Sequence, residues 1–419
     1  MNALIKSATI VDKLSQYHLK KQDILIENGI IAKIADSIKN PNNYSEINLP
    51  NLMVSAGWFD TSVSFGEPGY EERETIANGL TVAAKSGFTD VAVNGNTKPA
   101  TDNLTAVQFL INKASGYATN LHPIGCLTVK SDGYDLAELY DMKQFGAIAF
   151  GDYKKPISNA NLLKIALQYT QNFDGLVQSF PQDSSIAREG LANEGVNSTV
   201  LGLKGIPALA ETMQVARDIF LLEYAGGKLH IPTISTKKSV ELIKEAKNKG
   251  LDISCSVSAN HLTITDEMLH GFNANTKVTP PLRTKEDIYA LIAGVKDGTI
   301  DIITSDHNPM DVEHKKVAYS AAKFGSLGLE SLIGSLNTVL SVEDFIETIT
   351  RKPRERFNLK PVSVSEGLEA KLSLFTAEGE DKFTENQILS TSKNSAYLGQ
   401  PTKGKAYGII ANNQIVLNQ

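Results

Sequence analysis

Between Asp60 and Gly79 the chain reads DTSVSFGEPGYEERETIANG. Ser62 and Ser64 stand at alternate positions just after an aspartate, and alternate residues of a strand share a face. Two imidazoles at that spacing would hold a zinc ion and lower the pKa of its bound water toward ~7 for hydrolysis. Hydroxyls offer zinc neither charge nor strong donation. Other polar residues lie at or just past the ends of strand candidates: Asp152 in FGDYKKP, Gln178 in LVQSFPQD, His230 in KLHIPTIS, and Asp306 in TSDHNP. Asp306 is a candidate catalytic carboxylate. Its bland alternative is a strand-end carboxylate bonded to Ser62, Ser64 or a loop amide.

These positions need a scaffold that brings strand ends together. The first fifty residues alternate with period two around an Asn28-Gly29 turn, and the tail repeats that rhythm around Asn412-Asn413. Both ends are therefore predicted to form one small β-sandwich. Between them, short apolar runs alternate with helical stretches such as KSVELIKEAKNKG, whose apolar residues recur at helical spacing before a glycine stop. Repeated strand-then-helix units argue for a (β/α)8 barrel or a doubly wound sheet, and the polar residues named above fall where a barrel carries its site.

Composition narrows the partners. The chain has 419 residues, 42% of them hydrophobic, and a net charge of −6. A mildly acidic surface is not built to coat nucleic acid or an anionic membrane. No apolar run approaches the ~20 residues of a membrane helix. No long apolar segment of a secretory leader is visible, so the cytoplasm is the expected location. Cys126 and Cys255 belong to no Cys-x-x-Cys pair and sit in apolar contexts, which predicts two buried thiols.

Several blocks together resemble the cyclic amidohydrolases, and within them the class I dihydroorotases: the stretch from Gly57 through DTSVSFGEPG, GAIAFGDYKKPIS, ANEGVNSTVLGLKGIPALAETMQVARDI, and KVTPPLRTKEDIYALIAGVKDGTIDIITSDHNPMDVEHK. The resemblance implies an α/β fold: a (β/α)8 TIM barrel over 55–360, beside a composite β-sandwich from 1–54 and 361–419. It implies zinc and the reversible ring closure of N-carbamoyl-aspartate to dihydroorotate. It also implies a ligand set that this chain replaces. The metal positions fall on Ser62, Ser64, Gln178, Thr233 and either Tyr153 or, with a one-residue slip, Asp152. Asp306 keeps the acid/base position. Asn96 and Asn275 match substrate-binding asparagines, whereas the family's carboxylate-clamping arginine falls on Gly66 and a late histidine on Met310.

Three readings follow. A chain with an erased ligand set is expected to hold no metal and to act as a scaffold or regulatory partner of aspartate transcarbamoylase, as a homodimer. An active dihydroorotase with zinc is the second. The third is an amidohydrolase with altered metal use and substrate, pairing Asp306 with His230 or His261. A mouth filled by Tyr153, Gln178 and Met310 would argue against that third reading.

Overall fold

The computed structural model describes residues 1–418. Eight parallel strands follow one another around a barrel: β1 (Trp58–Val63), β2 (Phe88–Val93), β3 (Asn120–Gly125), β4 (Ala149–Phe150), β5 (Leu176–Gln178), β6 (Lys228–Ile231), β7 (Ile253–Ser258) and β8 (Ile302–Thr304). A parallel bridge between Val63 and His307 brings the last strand against the first. Nearly every strand residue is buried, as expected when helices cover the outside and side chains fill the inside.

The helices that clothe the barrel are α1 (Ile76–Lys85), α2 (Leu104–Lys113), α3 (Leu139–Gln144), α4 (Ala160–Thr170), α5 (Ala208–Ala225), α6 (Lys237–Asn248), α7 (Lys285–Asp297) and α8 (Val342–Ile349). Their ends follow local chemistry. The Thr75, Thr236, Thr284 and Ser341 side chains each accept from a first-turn amide, satisfying an otherwise orphaned donor. In α6, Val240, Ile243 and Ala246 face inward, and Gly250 at φ +81° ends the run.

Both chain ends join one eight-stranded sheet. Leu372–Lys382 pairs antiparallel with Met53–Ala56, and Ala3–Ile10 pairs with Lys21–Glu27. Asn28-Gly29 and Asn412-Asn413 all have positive φ, the backbone a tight two-residue hairpin requires. The C-terminal part also sends 383–400 over the barrel loops. There Phe383, Ile388 and Tyr397 pack against Ile264, Val278 and Leu327. Among the described residues no helix is long and apolar enough to cross a membrane. Cys126 and Cys255 are free and buried.

The barrel interior is plugged from below. Phe59, Ala92, Ile124, Leu176, Ile302 and Phe357 form an apolar layer. Beneath it lies Asp90, 1% exposed, paired with Arg354, Lys371 at 2.8 Å and His122 at 2.9 Å. Burial pushes the Asp90 carboxyl up, but Arg354, His122 and Lys371 outweigh it and hold it well below the usual carboxylate range. Removing one member of such a cluster strands a buried charge. Arg354→Ala should therefore lower stability by about 3–5 kcal/mol at pH 7. A folded-state pKa below the unfolded one gives stability that is present above pH ~4 and lost as pH falls further. In urea melts the gap between wild type and variant should accordingly be widest at neutral pH and close below pH ~4; a gap unchanged at acid pH would contradict the assignment.

Candidate functional site

The upper rim of the barrel carries the polar residues that the sequence singled out. Asp60, fully buried on β1, staples β1 to β8. It accepts from the Ser62 amide at 3.0 Å, the Ser305 amide at 2.9 Å and the Thr304 hydroxyl. Burial raises its pKa despite these donors. The staple brings the end of β1 beside Asp306, which follows β8 with a left-handed φ of 49°.

Asp306 is 7% exposed and fully partnered by this chain's own side chains. Lys154 donates to Oδ2 at 2.7 Å, the Tyr153 hydroxyl to Oδ1 at 3.1 Å, and Ser62 more weakly to Oδ1 at 3.4 Å. Burial, then the Asp306 charge, pushes the Tyr153 phenol well above its ordinary value, so it stays protonated and donates. The Lys154 ammonium also lies 5.2 Å from the centre of the Tyr153 ring. Lys154 is the residue that sequence reasoning missed. Its signal was the basic pair in FGDYKKP: a search for lost ligands overlooks a gained cation.

The remaining candidates divide. Ser62, Tyr153, Gln178, Thr233 and His230 line one cavity at the mouth that encloses only about 20 Å³, enough for a single water. Ser64 donates to Asn96 at 3.0 Å just beside it. Asp152 lies at the same rim but turns its carboxylate to the Leu127 and Thr128 amides, at 3.0 and 3.2 Å. Tyr153, one residue on, is the group that meets Asp306. Asn275 and Met310 do not join them; they line a separate cleft of about 770 Å³. Gly66 adopts a tight turn in which a Cβ would come within 1.7 Å of the Tyr70 carbonyl oxygen. No side chain of any kind fits there.

The histidines are committed elsewhere. His230 is buried between Ser254 Oγ at 2.8 Å and Ser256 Oγ at 3.3 Å, with burial holding its pKa well below the ordinary value. His261 bridges Ser258 Oγ at 2.7 Å and the Pro280 carbonyl at 3.0 Å; burial lowers its pKa too. His307 accepts from the Gly328 and Leu329 amides through Nδ1, at 3.3 and 3.4 Å. Each is a neutral imidazole wedged in packing, with none bonded to Asp306.

The donor set does not fit a catalytic zinc ion. The mouth offers hydroxyls, amides, the Asp306 carboxylate paired with the Lys154 ammonium, and Asp152 and His230, which are already bonded to the Leu127 and Thr128 amides and to Ser254 and Ser256. Among the described residues, no three His, Cys, Asp or Glu side chains converge to hold an ion. A divalent ion ~4 Å from an ammonium is opposed by roughly 8 kcal/mol at an effective dielectric of about 20. That is comparable with the ~10–16 kcal/mol that a full zinc ligand set supplies.

Known proteins place the chain. A family model described as dihydro-orotase-like matches residues 51–239. A dihydroorotase of Trichlorobacter lovleyi is 37% identical over 424 residues, covering 100% of both chains. One of Pelotomaculum thermopropionicum is 37% identical over 425 residues, covering 100% of this chain and 99% of the relative. In fold, the L-hydantoinase (dihydropyrimidinase) from Arthrobacter aurescens superposes with a TM-score of 0.86 at 21% identity, covering 100% of this chain and 96% of that one. Barrel, terminal sheet and full-length identity converge: the chain belongs to the dihydroorotase family.

Proposed function

We propose that this chain is a non-catalytic member of its family and serves as a structural partner, with aspartate transcarbamoylase as its partner. The observation that carries the reading is the Lys154–Asp306 ion pair, 2.7 Å long in a closed mouth. In a metal-dependent ring hydrolysis the strand-end aspartate must be free to take a proton from metal-bound water. Here its oxygens are occupied by an ammonium, a phenol and a serine. A cavity of about 20 Å³ holds no cyclic substrate, since small-molecule sites span ~300–1,000 Å³. The scaffold itself is kept, from the Asp60 staple to the plugged interior.

A second reading keeps the activity. Full-length relatives carry the name dihydroorotase. Lys154, Thr233 and Asp306 also hold left-handed backbone, with φ between 49° and 58°. Non-glycine residues in that region cluster at functional sites. On this reading Lys154 would swing away when zinc and substrate enter.

Three measurements separate the readings. Protein purified without chelator and assayed by plasma emission should contain far less than one zinc per chain and should not hydrolyse dihydroorotate. About two zinc per chain with turnover would restore the enzyme. Lys154→Met should strand the Asp306 carboxylate and cost about 3 kcal/mol in chemical denaturation, and adding Asp306→Leu should recover most of that loss. A Lys154→Met protein as stable as wild type would mean that the pair does not hold the mouth. Finally, mixing with the transcarbamoylase of the same source should give one co-sedimenting complex; two separate boundaries would remove the partner from the proposal.

A further inference from the structure

Beneath the aromatic layer a cavity of about 360 Å³ lies between the lower ends of β2 and β3 and the segment 359–371, which leads back to the terminal sheet. Small-molecule sites span ~300–1,000 Å³, whereas the mouth at the other end of the barrel encloses only about 20 Å³. Part of the lining is the cluster around Asp90. That carboxylate has about four acceptor positions and meets five partners. Its Oδ1 faces Lys371 at 2.8 Å, His122 Nε2 at 2.9 Å and Asn120 at 3.2 Å; its Oδ2 faces Thr89 at 2.8 Å and Arg354. Asp90 is therefore saturated, and one carboxylate cannot balance two fixed cations.

Both cations retain unused donors. Lys371, with its side chain 15% exposed, donates to Asp90 with one of its three N–H groups. Arg354, 2% exposed, bonds Asp90, Thr89 and the Gly57 carbonyl, all through Nη2, and its buried Nε has no partner. Such groups are rare, because an unmade buried hydrogen bond costs the full desolvation of the donor. Lys360 adds a third cation to the lining, and Glu369 is the only other carboxylate there. Three fixed cations against two carboxylates leave one positive charge unbalanced. Burial pushes the Lys371 pKa down, and the Arg354 charge pushes the same way against the pull of Asp90. The segment 359–368 supplies hydrocarbon to the same lining through Leu359, Pro361, Val362 and Leu368, the last 45% exposed.

We infer that this cavity is a ligand site for a small organic monoanion: a carboxylate set on Lys371 and Arg354, with a short hydrocarbon body against Leu359, Val362 and Leu368. One negative charge matches the unbalanced cation. A carboxylate has two oxygens and can take a guanidinium and an ammonium together. Inorganic phosphate brings the charge without the body, and a neutral alcohol brings the body without the charge. The site lies at the end of the barrel away from Asp306 and Lys154, so it stands apart from the question of catalysis.

Isothermal titration of the full chain with hexanoate at low salt tests the inference. One hexanoate should bind per chain. Hexanol and inorganic phosphate should each bind at least about tenfold more weakly, since one charge-assisted hydrogen bond is worth roughly that factor. Lys371→Met should weaken hexanoate by about tenfold or more. Leu368→Asp should do the same while leaving the Asp90 cluster untouched, because it sets a negative charge against the body. Should Lys371→Met fail to fold, Leu368→Asp and the ligand series decide. No binding of hexanoate at millimolar concentration would overturn the inference. So would hexanol or phosphate binding as tightly as hexanoate, or either variant, folded, binding hexanoate as well as wild type.

Discussion

A carboxylate buried at the end of a barrel strand needs a positive partner. Asp306 has one supplied by the chain itself: the Lys154 ammonium at 2.7 Å, with Tyr153 donating to the other oxygen. The rest of the mouth is arranged around this contact. The Asp60 staple brings β1 and β8 together, so that Ser62 reaches the same carboxylate. Gln178 and Thr233, each 7% exposed or less, close the remaining space. Metal ligands must be few, anionic or imidazole, and convergent. Hydroxyls with one ion pair make a different object, a hydrogen-bonded polar core.

The two ends of the barrel obey the same electrostatic rule with different charge balances. At the bottom one carboxylate, Asp90, is surrounded by Arg354, Lys371 and His122. At the top one carboxylate is matched by one ammonium and several neutral donors. Between them the aromatic layer around Phe59 and Phe357 excludes water, which makes each pair costly to break. His230 rests edge-on against Phe357 at 5.7 Å and so joins that layer to the mouth cavity it lines.

Much of the architecture could be read from the chain. Period-two ends with Asn-Gly and Asn-Asn turns, and apolar runs alternating with capped helices, are local signals, and they survive because tertiary packing agrees with them. The strand-end placement of Gln178 and Asp306 was legible for the same reason, whereas Ser62, Tyr153 and Thr233 were singled out through the family resemblance. What the residues occupy was not. Whether Asp152 or Tyr153 faces Asp306 depends on a left-handed turn at Lys154, φ 56°, which spacing does not reveal. Asn275 looked like a partner of Asn96, yet it lines another cleft, because the three-residue helical turn Ala274–Thr276 packs beside Met310 instead. Within the stretch 361–419 assigned to the β-sandwich, Phe383, Ile388 and Tyr397 pack against Ile264, Val278 and Leu327 of the barrel loops, a contact that local patterning does not reveal. Lys154 itself is invisible to a search keyed to ligands.

The central claim is that this chain's own ammonium fills the place where a hydrolytic cation would sit. A crystal structure of protein grown and soaked with zinc tests it most directly. The account predicts density for Lys154 Nζ in hydrogen-bond contact with Asp306 and no ion between the strand ends. A zinc centre ligated by Asp306, with Lys154 displaced, would contradict it.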